Sequence, residues 1–315
     1  MSKKDAQYQA VARKDMTYGQ WIRKEMKRNW FAYVMIAPYV IVFTLFTVLP
    51  VLLSILISFT DFNMLQTPNI VWFDNYINLF FADDIFLIAC KNTFIFACIV
   101  GPASYLMSFL VAWFINELPP KIRSIVTLVF YAPSISGQVY MIWGVLFSAD
   151  SAGWANATLM EIGYINEPIA WFKDAKYVMP LCIVVALWTS LGVTFLSFIA
   201  GLQGVDRSLY EAGAVDGVKN RWQELWYITL PSMKPQLMFG AVMAITSSFG
   251  FGGVVTALCG FPSVDYAAHT IMHHLEDYGG QRFEIGYSSA IATILFLVMI
   301  GANGVVKKVL SKVGS

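Results

Sequence analysis

The sequence predicts an all-α polytopic membrane protein with six transmembrane helices, on the basis of its composition, its apolar segments and its basic residues. Of its 315 residues, 57% are hydrophobic and 13% are charged, whereas a soluble domain carries about 25% charged residues. A helix that crosses a bilayer needs about 20 mostly apolar residues. Six segments meet this requirement, namely 31–59, 92–115, 124–147, 178–201, 236–259 and 286–306.

The basic residues predict the orientation of these segments, because cytoplasmic loops carry an excess of Lys and Arg. If all six segments cross the membrane, 17 of the 21 Lys and Arg residues lie on the same side as both termini. We therefore expect both termini to be cytoplasmic, with a basic arm at 1–29 and a tail at 309–315. Membrane lipid is an expected partner. The net charge of +1 does not indicate a nucleic-acid partner, and we expect none.

The polar loop 208–231, between the fourth and fifth apolar segments, carries the signals of a short helix. Ser208 and Glu211 fit a capping box, with Ser208 as the N-cap residue. Gly217 is the residue best able to end the helix in a left-handed conformation. The helix carries small residues that would let a partner approach closely, namely Ala212, Gly213 and Ala214.

A second short helix is expected after this glycine elbow. Asn220 followed by Gln223 marks its start, residues 222–227 form a short amphipathic stretch, and Pro231 ends the unit. The sequence therefore predicts an L-shaped projection made of a helix, an elbow and a helix.

The order of residues in this loop resembles the EAA loop of ABC-importer permeases. The family pattern is EAA, three residues, Gly, a gap and I-x-L-P, and this chain has EAG at 211–213, DG at 216–217 and ITLP at 228–231. Gly213 replaces the commonest alanine, and the interval from Gly217 to Ile228 is one residue longer than usual. The strings SILISFTDFN, FDNYINLF, KNTFIF, YAPSISGQVYMIW and RFEIGYSSA resemble the carbohydrate-type permeases, so the resemblance covers about residues 30–308.

This resemblance implies a bacterial cytoplasmic-membrane permease domain over 30–308, whose EAA loop is a cytoplasmic coupling helix that docks onto a separate ATPase. The implied contact residues are Glu211, Ala212, Gly213, Asp216, Gly217, Leu230 and Pro231, with Glu211 meeting a basic residue of the ATPase. The chain has no Walker A, GxSxG or HExxH sequence. We therefore expect no enzyme activity and no cofactor on this chain, with ATP and Mg bound by the ATPase. The implied partners are a second permease subunit, two ABC ATPase subunits and an extracellular solute-binding protein.

A carbohydrate substrate would bind near the middle of the bilayer. Ten residues from the start of the fifth segment lead to Ser247, Ser248 and Phe249, and a count back from the end of the fourth leads to Trp188, Thr189 and Ser190. Both counts place hydroxyl groups beside an aromatic ring, which is the pairing that sugars favour. A weaker candidate is the third-segment group Tyr131, Ser134, Ser136 and Gln138.

The sequence contains two groups of potential metal ligands, three histidines and four cysteines, and we expect neither to bind a metal. His269, His273 and His274, near Glu276 and Asp277, lie between the fifth and sixth segments. We expect them on a solvent-exposed outer helix that contacts a binding protein, and we expect no metal site. The four cysteines, Cys90, Cys98, Cys182 and Cys259, lack CxxC spacing and are expected to pack as small hydrophobic side chains.

Other functions remain open at this point. Within importers, the substrate could be a polyol or a sugar-phosphate ester, although a phosphate would favour Arg or Lys in the pathway. A secondary transporter driven by an ion gradient would need ionisable residues inside the apolar segments, which contain essentially none. An intramembrane enzyme would need paired catalytic residues at the same depth.

Overall fold

The computed structural model describes residues 18–137 and 139–311, and within those ranges the chain is helical, with one isolated β-bridge between Thr60 and Ile70. The predictions for residues 1–17 of the basic arm, for Gln138 and for residues 312–315 of the tail lie outside the described residues. The chain divides into two compact units, Met1–Leu56 and Ile57–Ser315.

The first unit contains the described part of the arm and an apolar helix. Helix α1 (Tyr18–Arg28) ends with basic residues, and its Arg28 pairs with Glu25 at 2.6 Å. It is followed by α2 (Trp30–Phe43), a π-helical turn (Thr44–Val48) and α3 (Leu49–Ile57). The stretch Trp30–Ile57 is long and apolar enough to cross a membrane.

Within its described residues, the second unit begins with seven α-helices. They are α4 (Asp74–Phe81), α5 (Asp84–Asn116), α6 (Pro120–Ile135), α7 (Val139–Leu146), α8 (Trp154–Glu161), α9 (Ala175–Thr189) and α10 (Val193–Gln203). The loop and the last helices follow as α11 (Arg207–Val215), α12 (Arg221–Glu224), a π-helical turn (Leu225–Thr229), α13 (Leu230–Ser232), α14 (Lys234–Phe249), α15 (Gly252–Cys259), α16 (Ile271–Glu276) and α17 (Ile285–Ser311).

The predicted apolar segments coincide with these helices. Among the described residues, four stretches are long and apolar enough to span a membrane, namely Trp30–Ile57, Asp84–Asn116, Ala175–Gln203 and Ile285–Val309. The other two segments are bent pairs, α6 with α7 at 83° and α14 with α15 at 42°. Helix α5 begins well before the predicted residue 92 because the Asp83 carboxylate caps it, accepting a hydrogen bond from the Phe86 N–H at 2.9 Å.

Helix α5 is the central element of the second unit, because residues from it enter all three of its buried apolar clusters. Phe109 and Trp113 pack with α10, Phe96 packs with α9 and α15, and Phe86 packs with α4, α16 and α17. In lipid, the hydrophobic effect does not drive helices together, so close packing must hold them.

Helices α10 and α14 approach each other closely. A Cβ atom on Gly240 would lie 2.5 Å from Cζ of Phe198, a ring that is fully buried. Only glycine fits at this position without a shift of the ring or of the helix.

Gly240→Ala is therefore expected to lower the stability of the protein by about 1–3 kcal/mol, the usual cost of forcing extra volume into a packed core. The measurement is the thermal unfolding midpoint of the purified protein in detergent. Gly301→Ala on α17 is the matched control, because nothing lies within 4 Å of a Cβ atom there. Equal midpoints for the two variants would contradict the proposed close contact.

Candidate functional site

A cavity of about 440 Å³ lies where two helical stretches are interrupted. Helix α9 ends at Thr189, and α10 starts at Val193 after a short non-helical segment; α14 ends at Phe249, before α15 starts at Gly252. Such breaks in apolar helices are tolerated where the freed backbone lines a cavity. The lining residues are Ser104, Ser108, Pro133, Ser134, Ile135, Ser136, Gly137, Tyr140, Thr189, Ser190, Gly192, Val193, Thr194, Met243, Ala244, Ser247 and Phe251.

Three of the six residues proposed from the sequence line this cavity, namely Thr189, Ser190 and Ser247. The other three do not. Trp188 packs edge-on against Trp143, with ring centroids 5.5 Å apart. Ser248 is buried and donates to the Ile245 carbonyl at 2.7 Å, and Phe249 is buried in the cluster shared by α5, α16 and α17.

This split follows from helix geometry. Successive residues on an α-helix point about 100° apart, so a face that presents Ser247 turns Ser248 away. The expected aromatic partners, Trp188 and Phe249, are therefore replaced at the cavity wall by Tyr140 and Phe251. The third-segment residues Ser134 and Ser136 do line the cavity, whereas Tyr131 does not.

The sequence analysis missed the contribution of α5, from which Ser104 and Ser108 line the cavity. Ser104 donates to the Gly101 carbonyl at 3.0 Å. Ser108 is 1% exposed, and its Oγ has no hydrogen-bond partner among the described residues. A signal was present, since two serines four residues apart share one face of an apolar helix.

The polar groups of the cavity are hydroxyls and backbone, and none of its described lining residues is charged. Thr189 and Ser190 donate to backbone carbonyls of their own helix, at 3.1 Å to Val185 and 2.6 Å to Leu187. Their oxygen lone pairs remain able to accept hydrogen bonds, and the unpaired Ser108 hydroxyl can both donate and accept. The cavity is therefore suited to a neutral ligand that carries hydroxyl groups.

The polar loop has the predicted helix–elbow–helix form. Gly217 has φ +93°, and the Val218 N–H donates to the Gly213 carbonyl at 2.9 Å, which is the bond that closes a left-handed helix end. The Asn220 side chain accepts from the Gln223 N–H at 2.9 Å, as predicted for the second helix.

The first cap differs from the prediction. Asp206, not Ser208, is the N-cap residue of α11, and its carboxylate accepts from the Ser208 N–H at 2.9 Å. A carboxylate at this position also interacts favourably with the positive end of the helix dipole. The Glu211 side chain is exposed.

Gly213 faces into the protein instead of toward a partner. A Cβ atom there would lie 2.6 Å from Cδ1 of Ile228, so glycine lets α11 pack onto the π-helical turn. Ala212 and Asp216 are exposed, and Val215 is 88% exposed. The exposed surface of α11 thus includes these three residues and Glu211, and Leu209 is 45% exposed.

At the N-terminal end of α5, the segment between α15 and α17 packs into a buried polar network. The Asp83 carboxylate accepts hydrogen bonds from Nε2 of His274 at 2.9 Å, from the Tyr287 hydroxyl at 2.9 Å and from the Tyr278 hydroxyl at 3.3 Å. Burial raises the pKa of Asp83, but the Phe86 N–H, the His274 ring and the Tyr287 hydroxyl together lower that pKa below its ordinary value.

The three histidines are buried, which corrects the expectation of a solvent-exposed outer helix. His269, His273 and His274 are at most 2% exposed. His273 bridges Thr270 and Thr256, at 3.0 Å and 2.9 Å, and His269 Nε2 lies 3.3 Å from His274 Nδ1. The apolar face of α16 and the Asp83 partner draw these rings inward, and the described residues contain no cluster with metal-binding geometry.

Comparisons with known proteins identify close similarities over nearly the whole chain. The family described as "Binding-protein-dependent transport system inner membrane component" matches residues 16–313. The chain is 31% identical to the probable ABC transporter permease protein YesP of Bacillus subtilis, over 89% of each chain. It is 31% identical to the lactose transport system permease protein LacF of Rhizobium radiobacter, over 72% of this chain and 75% of that protein. It is 27% identical to the arabinooligosaccharides transport system permease protein AraP of Bacillus subtilis, over 85% of this chain and 84% of that protein.

Two solved structures share the fold. One is a bacterial ABC transporter that imports the acidic polysaccharide alginate, with a TM-score of 0.71 and 26% identity over 91% of this chain and 98% of that chain. The other is the bacterial alginate ABC transporter in complex with an alginate pentasaccharide-bound periplasmic protein, with a TM-score of 0.72 and 25% identity over 93% and 99%.

The buried histidines predict that stability falls as the pH is lowered from 6.5 to 4. Burial lowers the pKa of His269 and of His273 to about 4, from an ordinary value of 6.5. Within this window the unfolded chain binds more protons than the folded chain, so stability is lost by up to about 1.4 kcal/mol per pH unit for each histidine. Asp83 contributes little above about pH 5, because a lowered carboxyl pKa reduces stability mainly as the pH falls through the ordinary value of 3.8 and below it.

The measurement is the thermal unfolding midpoint in detergent at pH 7 and pH 5. The double variant His269→Gln/His273→Gln should be less stable at pH 7 but should lose less on acidification. An unchanged pH dependence in that variant would show that these two rings do not cause it.

Proposed function

The chain belongs to the family of binding-protein-dependent transport system inner membrane components, and from that premise we propose that it is the permease subunit of an ABC importer for a sugar or oligosaccharide. The observation that carries the proposal is the uncharged, hydroxyl-lined cavity at the two helix breaks. The names of the lactose and arabino-oligosaccharide permeases among its relatives support a carbohydrate substrate.

In this proposal the chain crosses the membrane six times, and each bent helix pair is one span. The distribution of Lys and Arg supports a cytoplasmic location for both termini and for the loop around α11. The Ser190–Gly192 and Gly250–Phe251 breaks then lie near the middle of their spans, at the depth where transporters bind substrate.

Helix α11 is the proposed coupling helix, which docks onto a separate ATPase subunit that binds ATP and Mg. The implied contact residues Glu211, Ala212 and Asp216 are exposed on α11, and Gly217 forms the elbow. Gly213 and Leu230 support the docking surface from inside, since Gly213 packs on Ile228 and Leu230 packs against the cluster of Phe109 and Trp113. Pro231 lies in α13, where the loop ends.

The complete importer would contain a second permease subunit, two ATPase subunits and a solute-binding protein. Support for the last of these comes from the alginate transporter, which was solved with a periplasmic protein. One permease subunit supplies half of the pathway, so the partner permease would complete the cavity described for this chain.

The uncharged cavity favours a neutral saccharide over the two other importer substrates that the sequence left open. A sugar-phosphate ester calls for a charged donor such as Arg, and the described lining residues include none. A polyol has hydroxyls but no ring face to lie against Tyr140 and Phe251.

Docking of the ATPase on α11 is tested by cross-linking. With the four native cysteines replaced, Ala212→Cys should form a cross-link to the co-expressed ATPase, because Ala212 is exposed on the proposed docking side. Tyr164→Cys is the control, since Tyr164 is 80% exposed but lies in the loop between α8 and α9, away from α11. If no position on α11 cross-links in an active complex, the docking surface lies elsewhere.

Gly217→Pro is expected to abolish uptake while the protein still inserts, because proline fixes φ near −65° and the elbow needs φ +93°. Glu211→Lys should also abolish it, in this case by reversing a charge on the docking side. Uptake of the cognate sugar and ATP hydrolysis stimulated by the binding protein should fall together. Normal stimulation in both variants would exclude this loop as the coupling element.

The substrate route is tested at Ser247, whose side chain opens into the cavity. Ser247→Ala should lower uptake by about two- to tenfold, which corresponds to one hydrogen bond, whereas Ser247→Trp should block uptake by filling the cavity. Ser248→Ala controls for the first change, since Ser248 faces away, and Phe239→Trp on the exposed face of α14 controls for the second. Full uptake by the Ser247→Trp complex in proteoliposomes would place the route elsewhere.

A further inference from the structure

The loop around α11 is attached by its side chains to α5, a helix that is not adjacent to it in sequence. Arg221 Nη2 lies 2.8 Å from Oε2 of Glu117, the residue that directly follows α5. Nη1 of the same guanidinium lies 2.7 Å from Oε2 of Glu224. Arg221 therefore bridges a carboxylate of its own helix and a carboxylate at the end of α5.

Aromatic and apolar contacts accompany this ion pair. The Trp222 ring packs against the Trp113 ring of α5, with centroids 5.2 Å apart. Leu225, which is 4% exposed, belongs to the buried cluster that also contains Phe109 and Trp113. Helix α12 and the turn after it are thus seated on the end of α5.

Helix α11 packs against the π-helical turn Leu225–Thr229. Gly213 permits the close approach of Ile228, and the hydroxyls of Tyr210 and Thr229 lie 3.0 Å apart. A displacement of α11 must therefore be passed to the turn, and from the turn to the end of α5.

Helix α5 connects this end directly with the cavity. It is one continuous helix of 33 residues, and Ser104 lies nine residues before Trp113, which is about 14 Å along the axis. Ser104 and Ser108 form the α5 wall of the cavity.

We propose that the Arg221–Glu117 ion pair and the Trp222–Trp113 contact form a coupling junction that passes movement of α11 to α5, and so moves the cavity wall that carries Ser104 and Ser108. The inference rests on the proposed function, in which α11 docks onto the ATPase. The loop is already connected to α10 and α14 through the polypeptide backbone, and the junction adds a route through α5.

The exposure of the ion pair argues for a coupling role instead of a role in stability. The side chains of Arg221 and Glu117 are 63% and 42% exposed, and exposed ion pairs contribute little to folding. Such a pair can separate and form again during a transport cycle, and charge reversal there should spare insertion and assembly.

The test follows the reactivity of Ser104→Cys in the assembled complex, with the native cysteines replaced. The probe is a small maleimide, and its labelling rate is compared with and without ATP and Mg. In the parent, we expect ATP and Mg to change the labelling rate by about three- to fivefold or more, a factor that corresponds to the free energy of an exposed ion pair. In the single reversals Glu117→Arg and Arg221→Glu, the ratio of the labelling rates with and without nucleotide should be close to one. The double reversal Glu117→Arg/Arg221→Glu should restore most of the response, which a purely structural role would not require.

Two controls keep the outcome specific. Glu224→Gln removes the local pair but leaves the Glu117 pair, and Arg28→Glu removes an exposed pair on α1; both should respond to nucleotide as the parent does. If Ala212→Cys cross-links to the ATPase in the parent and in the single reversals, yet the single reversals still respond to nucleotide, the junction is overturned and the proposed function stands. If Ala212→Cys does not cross-link in the parent, the junction falls together with the proposed docking surface.

Discussion

The packing of its neighbours around helix α5 is the constraint on which the second unit depends. Its residues enter each of the three buried clusters, and beside it α10 and α14 approach so closely that Gly240 has no room for a Cβ atom next to Phe198. Close backbone approach of this kind holds helices together in lipid, where burial of apolar surface gives no preference for protein over hydrocarbon. The cavity exists because α9–α10 and α14–α15 break beside this fixed helix.

The two ends of α5 are held by polar contacts of opposite character. At one end, Asp83 and His274 are nearly buried. Burial lowers the pKa of His274 below its ordinary value, so the neutral ring donates a hydrogen bond to the Asp83 carboxylate, and hydrogen bonds to charged groups contribute about 1.5–3 kcal/mol. At the other end, the Arg221–Glu117 pair is half exposed, where such pairs contribute about 0–1 kcal/mol. The first arrangement fixes the helix against α16 and α17, while the second can open and close without threatening the fold. This difference in burial is what makes the end near α11 suited to movement.

The chemistry of the cavity agrees with transport rather than with tight storage. Four of the hydroxyls in its described lining already donate to nearby backbone carbonyls, namely those of Ser104, Ser134, Thr189 and Ser190. They offer a ligand acceptors of modest strength, and no charge in the described lining would hold it firmly. A neutral saccharide could then bind in hydrogen-bonded steps and leave again, each step contributing about 0.5–1.5 kcal/mol.

Features that depend on a few neighbouring residues were predictable from the sequence. The apolar segments, the left-handed Gly217 and the Asn220 cap were all found as predicted, because each is decided by hydropathy or by backbone preferences within about one helical turn. The roles of the site residues stay predictions of the sequence. One local prediction was wrong, since the N-cap residue of α11 is Asp206 and not Ser208.

Only the tertiary structure decided which side of each element faces the site. Counting residues led to Thr189 and Ser247, which line the cavity, but the rotation of α9 and α14 turned Trp188, Ser248 and Phe249 away from it. Tertiary contacts also decided that Gly213 and the three histidines face inward and that the serines of α5 face the cavity. Helix rotation is set by contacts between residues far apart in sequence, such as Gly240 with Phe198 and His274 with Asp83, and no local pattern in the chain encodes those partners.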